Sequence, residues 1–192
     1  MDTDTDMPKW RGIHHLALIT DDMDATVRFY HGVLGARLVA TLGNEAFRHY
    51  FFEFAPGQTV AFFEYRGVAL DGFSKPAGIP DPRATQFDHL SFGLADEAAL
   101  ESLRDRLSSH DCEVTEVVDH GVMHSIYFTD NNGIALEASW WLVDATAGDS
   151  EFSDSQLYAD PEPVAAFHEI ADGRLLAMPA THLVEEPTPA AG

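Results

Sequence analysis

The sequence predicts an α+β protein: two tandem strand-helix-strand-strand-strand (βαβββ) modules and a C-terminal extension. Three observations predict it. The same succession of apolar, amphipathic and turn-bounded segments occurs twice. His15 and His89, each near the start of its half, are 74 residues apart (89 − 15). Glu64 and Glu137, each in an apolar closing strand, are 73 apart (137 − 64). Self-similarity that reaches individual polar side chains points to two halves that place those side chains equivalently.

The elements follow in order. Residues 1–11 form a flexible acidic tail. Ile13–Thr20 has the length and apolar content of a buried strand. Asp21 or Asp22 then offers an N-cap to a helix with apolar positions at Met23, Val27, Tyr30 and Leu34, ended by Gly35. Strands are expected at Ala36–Leu42, Phe47–Phe54 and Thr59–Tyr65, the last two joined by a Pro56-Gly57 turn. The first module thus spans 12–66, and the Gly- and Pro-rich 67–85 is a linker. In the second module, 86–143, a strand at Phe87–Leu94 precedes a helix at Glu97–His110 carrying Leu100, Leu103 and Leu107. Val114–Val118, Ser125–Thr129 and Ile134–Trp140 follow as strands, the last entered through an Asn-Asn-Gly turn. The extension, 144–192, is polar and partly irregular, with a short helix at Val164–Ala171 and a frayed end after Glu185.

Composition excludes several classes. Of 192 residues, 32 are Asp or Glu and 11 Lys or Arg, a net charge of −21, so nucleic acid and anionic membranes would be repelled. With 45% hydrophobic residues the chain has the means to build a core, despite that charge. A lone Cys112 cannot form an intrachain disulfide and fits a reducing cytoplasm. No secretory leader and no membrane-length apolar run is apparent.

Glu64 (in FFEY) and Glu137 (in LEAS) are carboxylates among apolar neighbours, costly to bury without a cation. Basic residues are scarce, so a divalent metal shared with His15 and His89 is the expected partner. Nitrogen and carboxylate donors suit Zn, Fe(II), Mn, Ni or Co rather than Ca or Mg. Glu53, with no counterpart in the repeat, is assigned to a solvent face. His49 is expected to be exposed, and His124 could touch substrate.

The segments IHHLALITDDMDATVRFYHGVLG, FDHLSFGL and DNNGIALE resemble the vicinal oxygen chelate superfamily, which contains glyoxalase I, extradiol dioxygenases and bleomycin-resistance proteins. The resemblance covers roughly residues 12–141. It implies that each module curls as a half-barrel, that the sheets cup a metal, and that the protein is a homodimer acting on a small molecule. Aligned on FDHL, His15 rather than His14 takes the ligand position. Two chemistries are implied. VDHGVMHSIYFTDNNGIALE looks like the extradiol dioxygenase signature, with His120 as acid/base, Tyr127 hydrogen-bonding a substrate oxygen, and Fe(II) held by His15, His89 and Glu137. The full set His15, Glu64, His89 and Glu137 is similar to glyoxalase I, a lyase whose glutamate, here Glu64, would shuttle a proton. Non-catalytic antibiotic binding is a third reading, against which the retained ligands argue. The dioxygenase is preferred.

Overall fold

The computed structural model describes residues 12–82 and 87–175. The acidic tail, the end of the linker and the expected C-terminal fraying lie outside the described residues. The chain divides into two units, with the break after Asp144. In the first unit, β1 (His15–Ile19) leads to a short helix α1 (Met23–Val27) and then to β2 (Arg37–Gly43), β3 (Phe47–Ala55) and β4 (Gln58–Tyr65). The order recurs as β5 (Leu90–Gly93), α2 (Glu97–Ser109), β6 (Val118–Asp119), β7 (Met123–Thr129) and β8 (Ala135–Trp141). Each half is a four-stranded mixed sheet, β1-β4-β3-β2 and β5-β8-β7-β6. The first strand of each half runs parallel to the fourth, and the other pairings are antiparallel.

Both helices start on aspartate caps at matching places. The Asp22 carboxylate accepts from Ala25 N–H at 2.9 Å and Asp96 from Ala99 N–H at 2.8 Å. The first helix departs from expectation: after Val27 it widens into a π-helical turn over Arg28–Val33. The wider turn aims two adjacent rings inward, so that Phe29 is 8% and Tyr30 0% exposed, where a regular helix would diverge them. Gly35 at φ +76° then reverses the chain.

Two strands are shorter than the sequence suggests. Val114–Val118 contributes one isolated bridge, Val114 to Phe128, before β6. There the Thr115 hydroxyl occupies a ladder position by accepting from Tyr127 N–H at 3.0 Å. The strand expected from Phe87 begins only at Leu90, because Asp88 and His89 are engaged elsewhere.

Alternation assigns the faces. Leu16, Leu18, Val60 and Phe62 of the first sheet, and Leu90, Ile126, Phe128 and Leu136 of the second, face the helices. With Met23, Tyr30, Leu100 and Leu107, all of these but Leu16 form one core shared by the two modules. The modules are also tied by the Tyr30 hydroxyl donating to Asp130 (3.1 Å) and by the Thr20 hydroxyl donating to Asn132 (2.7 Å). The opposite, open faces carry His15, Ala17 and Ile19 in the first module, and Ser91 and Gly93 in the second, all exposed. Strands β1 and β5 lie at sheet edges. In the second unit, Phe152, Tyr158 and Phe167 cluster around the helix α3 (Ala165–Ala171). Among the described residues no helix is long and apolar enough to cross a membrane.

Candidate functional site

The open face of the second module gathers chemistry. Ser91 pairs with Glu137 across β5–β8, and Tyr127 with Glu137 across β7–β8, so all three side chains leave the same face. His89 sits two residues before Ser91, and its Nε2 lies 3.1 Å from Glu137 Oε2. His89 Nδ1 lies 2.7 Å from Asp88 Oδ1. The Asp88 carboxyl is held well below the usual carboxylate range by its hydrogen bonds from Lys75, His89 and the Gly78 N–H. An ionised carboxylate only accepts, so Nδ1–H donates to Asp88, and the ring turns its Nε2 to Glu137.

Glu137 is 5% exposed. Burial pushes its carboxyl up, but the hydroxyls of Ser125, Ser91 and Tyr127 and the His89 ring more than offset this, leaving it below the usual value. His89 Nε2 and the Glu137 carboxylate together offer one nitrogen and one oxygen donor. The donor chemistry therefore fits a divalent metal of the nitrogen- and oxygen-binding kind. The Tyr127 hydroxyl lies 2.9 Å from His120 Nε2. Burial first, and Glu137 second, push the Tyr127 phenol up, so it remains protonated.

The first module differs. His15 is exposed and packs edge-on to Phe51 (5.5 Å) and His49 (6.1 Å), with its Nδ1 2.9 Å from His14 Nδ1. It does not join His89 and Glu137 within the chain: among the described residues no three His, Cys, Asp or Glu side chains converge as a metal cage. His49, expected at the surface, is 8% exposed and stacked on Phe63 at 3.6 Å, and its Nε2 is buried without a partner. Phe47, Phe51 and Tyr65 share that face. The open face is thus aromatic in the first module and rich in hydroxyls in the second.

Glu64 is placed away from this face. His15 is followed at two residues by Ala17, which pairs with Ala61; His89 is followed at two residues by Ser91, which pairs with Glu137. The counterpart of Glu137 is therefore Ala61, and Glu64, three residues on, points to the helix side. There it accepts from Arg48 Nη1 at 2.5 Å and from the Met23 N–H at 3.0 Å. Its counterpart is Trp140, whose indole N–H donates to Glu97 at 3.1 Å; His124 binds the same carboxylate oxygen at 2.7 Å. His124 thus faces the helix, not a ligand. Glu53 lies on the open side, where it pairs with Arg37 at an exposed edge.

A cavity of about 680 Å³ adjoins the second module's open face, bounded by Ser74, Lys75 and Ile79 of the linker and by Thr115, Tyr127 and Thr129. Sequence reasoning missed Asp88, Lys75 and Ser125. Asp88 was readable as the acidic neighbour of a candidate ligand in FDHL, whereas nothing local marks Lys75.

Among solved structures, the chain is similar to a glyoxylase/bleomycin resistance protein/dioxygenase domain from Frankia sp. EAN1pec. The identity is 23%, over 69% of this chain and 98% of that one, with TM-score 0.59. It is similar also to a lactoylglutathione lyase from Agrobacterium tumefaciens (24% identity, 69% and 96% covered, TM-score 0.51). A third is TnmS3, an antibiotic binding protein from Streptomyces sp. CB03234 (12%, 70% and 99%, TM-score 0.54). At such identities the likeness is one of fold. No curated protein matches. The family model described as Glyoxalase/Bleomycin resistance protein/Dioxygenase superfamily matches residues 12–138, and with its two βαβββ halves in tandem the chain belongs to that superfamily.

Proposed function

We propose that the protein is a divalent-metal-dependent enzyme of the extradiol ring-cleaving type, acting on a small catechol, with each metal site shared between two copies of the chain. The observation that carries this reading is the Tyr127–His120 pair beside His89 and Glu137, on the same face, with Glu64 turned away. Without Glu64 the four-ligand set of the lyase reading loses a donor, and two histidines with one carboxylate remain. Three ligands leave positions that four would fill. His15 stands apart from His89 and Glu137 in one chain, on an exposed face beside an edge strand. A second copy that apposes its first module to this open face brings His15 to the pair. It also brings the aromatic wall of Phe51, Phe63 and His49 opposite the hydroxyl-rich one, a surface suited to a planar ring.

A metal held by His89 and Glu137 of one copy and His15 of the other, Fe(II) for this chemistry, would supply a Lewis-acidic centre for chelating both catechol oxygens beside dioxygen. The chain's own groups do the rest. Tyr127 keeps its proton and donates to a substrate oxygen. His120, in contact with Tyr127, takes up a proton from the catechol hydroxyl and returns it later as general acid. Asp88 holds the His89 ring by Nδ1. The linker and Tyr127 border the cavity beside this face.

Anaerobic reconstitution with Fe(II), then addition of air and a catechol panel, tests the reading. Oxygen uptake with a yellow ring-cleaved product is expected. No uptake across the panel, with Ni- or Zn-dependent turnover of hemithioacetals, would replace it by the lyase.

A further inference from the structure

The segment joining the modules does more than connect them. Lys75 donates from Nζ to Asp88 Oδ2 at 2.6 Å, and the Gly78 N–H donates to Asp88 Oδ1 at 2.7 Å. The same Oδ1 receives His89 Nδ1 at 2.7 Å, and His89 Nε2 faces Glu137. One unbroken chain of contacts thus runs from the linker to the buried carboxylate. The Lys75 side chain is only 9% exposed, although its partner Asp88 is 50% exposed. A lysine so enclosed, in a chain with 11 basic residues against 32 acidic, is unusual for a connecting segment. Contact with the sheet continues at Ser74, which lies against Gly133 so closely that a Cβ there would meet the Ser74 hydroxyl at 2.0 Å. Lys75 and Ile79 then border the 680 Å³ cavity opposite Tyr127.

We propose that Lys75 is a positioning residue: by gripping Asp88 together with the Gly78 N–H, it fixes the orientation of the His89 ring, with Nδ1 on Asp88 and Nε2 beside Glu137. Two donors on different oxygens remove the rotation that a half-exposed carboxylate otherwise has. A carboxylate that cannot rotate holds the imidazole in one plane, which prepares a ligand nitrogen before any metal arrives. The role of the prepared nitrogen rests on the metal-site reading above, but the ring geometry does not.

The test is therefore made first on the metal-free full chain. Long-range proton–nitrogen NMR of the imidazoles, recorded at pH 8 with His89 assigned by comparison with His89→Gln, reports which nitrogen is protonated. Wild type is expected to show His89 protonated at Nδ1. Lys75→Met, which keeps the apolar stem, and Asp88→Asn are both expected to show averaged nitrogens, with Lys75→Arg close to wild type. Circular dichroism and thermal unfolding verify that each variant is folded. In titrations with Mn(II) alone and Zn(II) alone, Lys75→Met is expected to bind about tenfold more weakly. An Nε2–H tautomer in wild type, or an unaltered His89 pattern in folded Lys75→Met, overturns the proposal. Absence of catechol turnover with the expected NMR pattern would sink the dioxygenase and leave this positioning role standing.

Discussion

Replacing Glu64 by Gln separates a structural glutamate from a metal ligand. The amide keeps an acceptor for the Met23 N–H but loses the charge that faces Arg48. Arg48 is 41% exposed and Glu64 16%, so solvent screens the pair and its loss costs about 0.5–1 kcal/mol. The negative charge near the start of α1 contributes about another 0.3–1 kcal/mol. Glu64→Gln is thus expected to destabilise by about 0.8–2 kcal/mol, a fall in Tm of roughly 2–8 °C. Glu64→Ala removes the acceptor too. Met23 is 3% exposed, and its orphaned N–H adds about 1–3 kcal/mol. Urea unfolding followed by tryptophan fluorescence reads both values, and calorimetric titration with Mn(II) reads the metal. The affinity of both folded variants is expected to stay within about twofold of wild type. A drop of tenfold or more with Glu64→Gln, without loss of fold, would refute the assignment of this side chain to the helix face.

Other outcomes follow from the same geometry. His49→Phe keeps the stack on Phe63 and removes a buried unpartnered nitrogen, so it should stabilise by about 1 kcal/mol at pH 7. Burial, then the charge of His15, lower the His49 pKa from 6.5. The unfolded chain therefore takes up this proton first, and the stability associated with His49 is complete above about pH 6.5 and lost as pH falls through the lower folded value. Urea midpoints across that range should diverge for wild type and His49→Phe. Tyr30→Phe deletes a buried hydroxyl bonded to Asp130 across the modules and should cost about 1–3 kcal/mol by the same assay. Tyr127→Phe and His120→Ala should retain metal and lower kcat by about a hundredfold with a catechol; unchanged turnover would remove both from the reaction.

The duplicated fold could be read from the chain because each signal is local. Asp22 and Asp96 cap helices, Gly35 reverses the chain, and Asn131-Asn132-Gly133 makes the last turn, as their residue types dictate. The candidate site was readable only in part. His89, Glu137, Tyr127 and His120 share one face, but Glu64 was matched to Glu137 by a spacing of 73, whereas strand register pairs Glu137 with Ala61, 76 residues earlier. A strand alternates faces with each residue, so a mismatch of three sends the side chain to the other side of the sheet. Glu64 needed a cation, as its apolar surroundings imply, and that cation is Arg48, its neighbour across the strand pair. His49 looked like a surface residue because its neighbours in sequence are polar or aromatic alike, and only the cross-strand Phe63 reveals its burial. Lys75 had no sequence signature because its partner is thirteen residues away across an irregular segment.

The shared metal site is tested most directly by mixing two inactive variants. His15→Ala and Glu137→Ala are each expected to bind no Fe(II) or Mn(II) tightly. When the two are unfolded together, refolded and allowed to pair at random, half the dimers contain one chain of each kind, and each of these holds one site with all three ligands intact. The mixture should then recover metal binding at about one quarter of the wild-type stoichiometry, and catechol-dependent oxygen uptake to the same fraction. A monomer by light scattering, or a mixture as metal-free as its components, would contradict a site built from two copies.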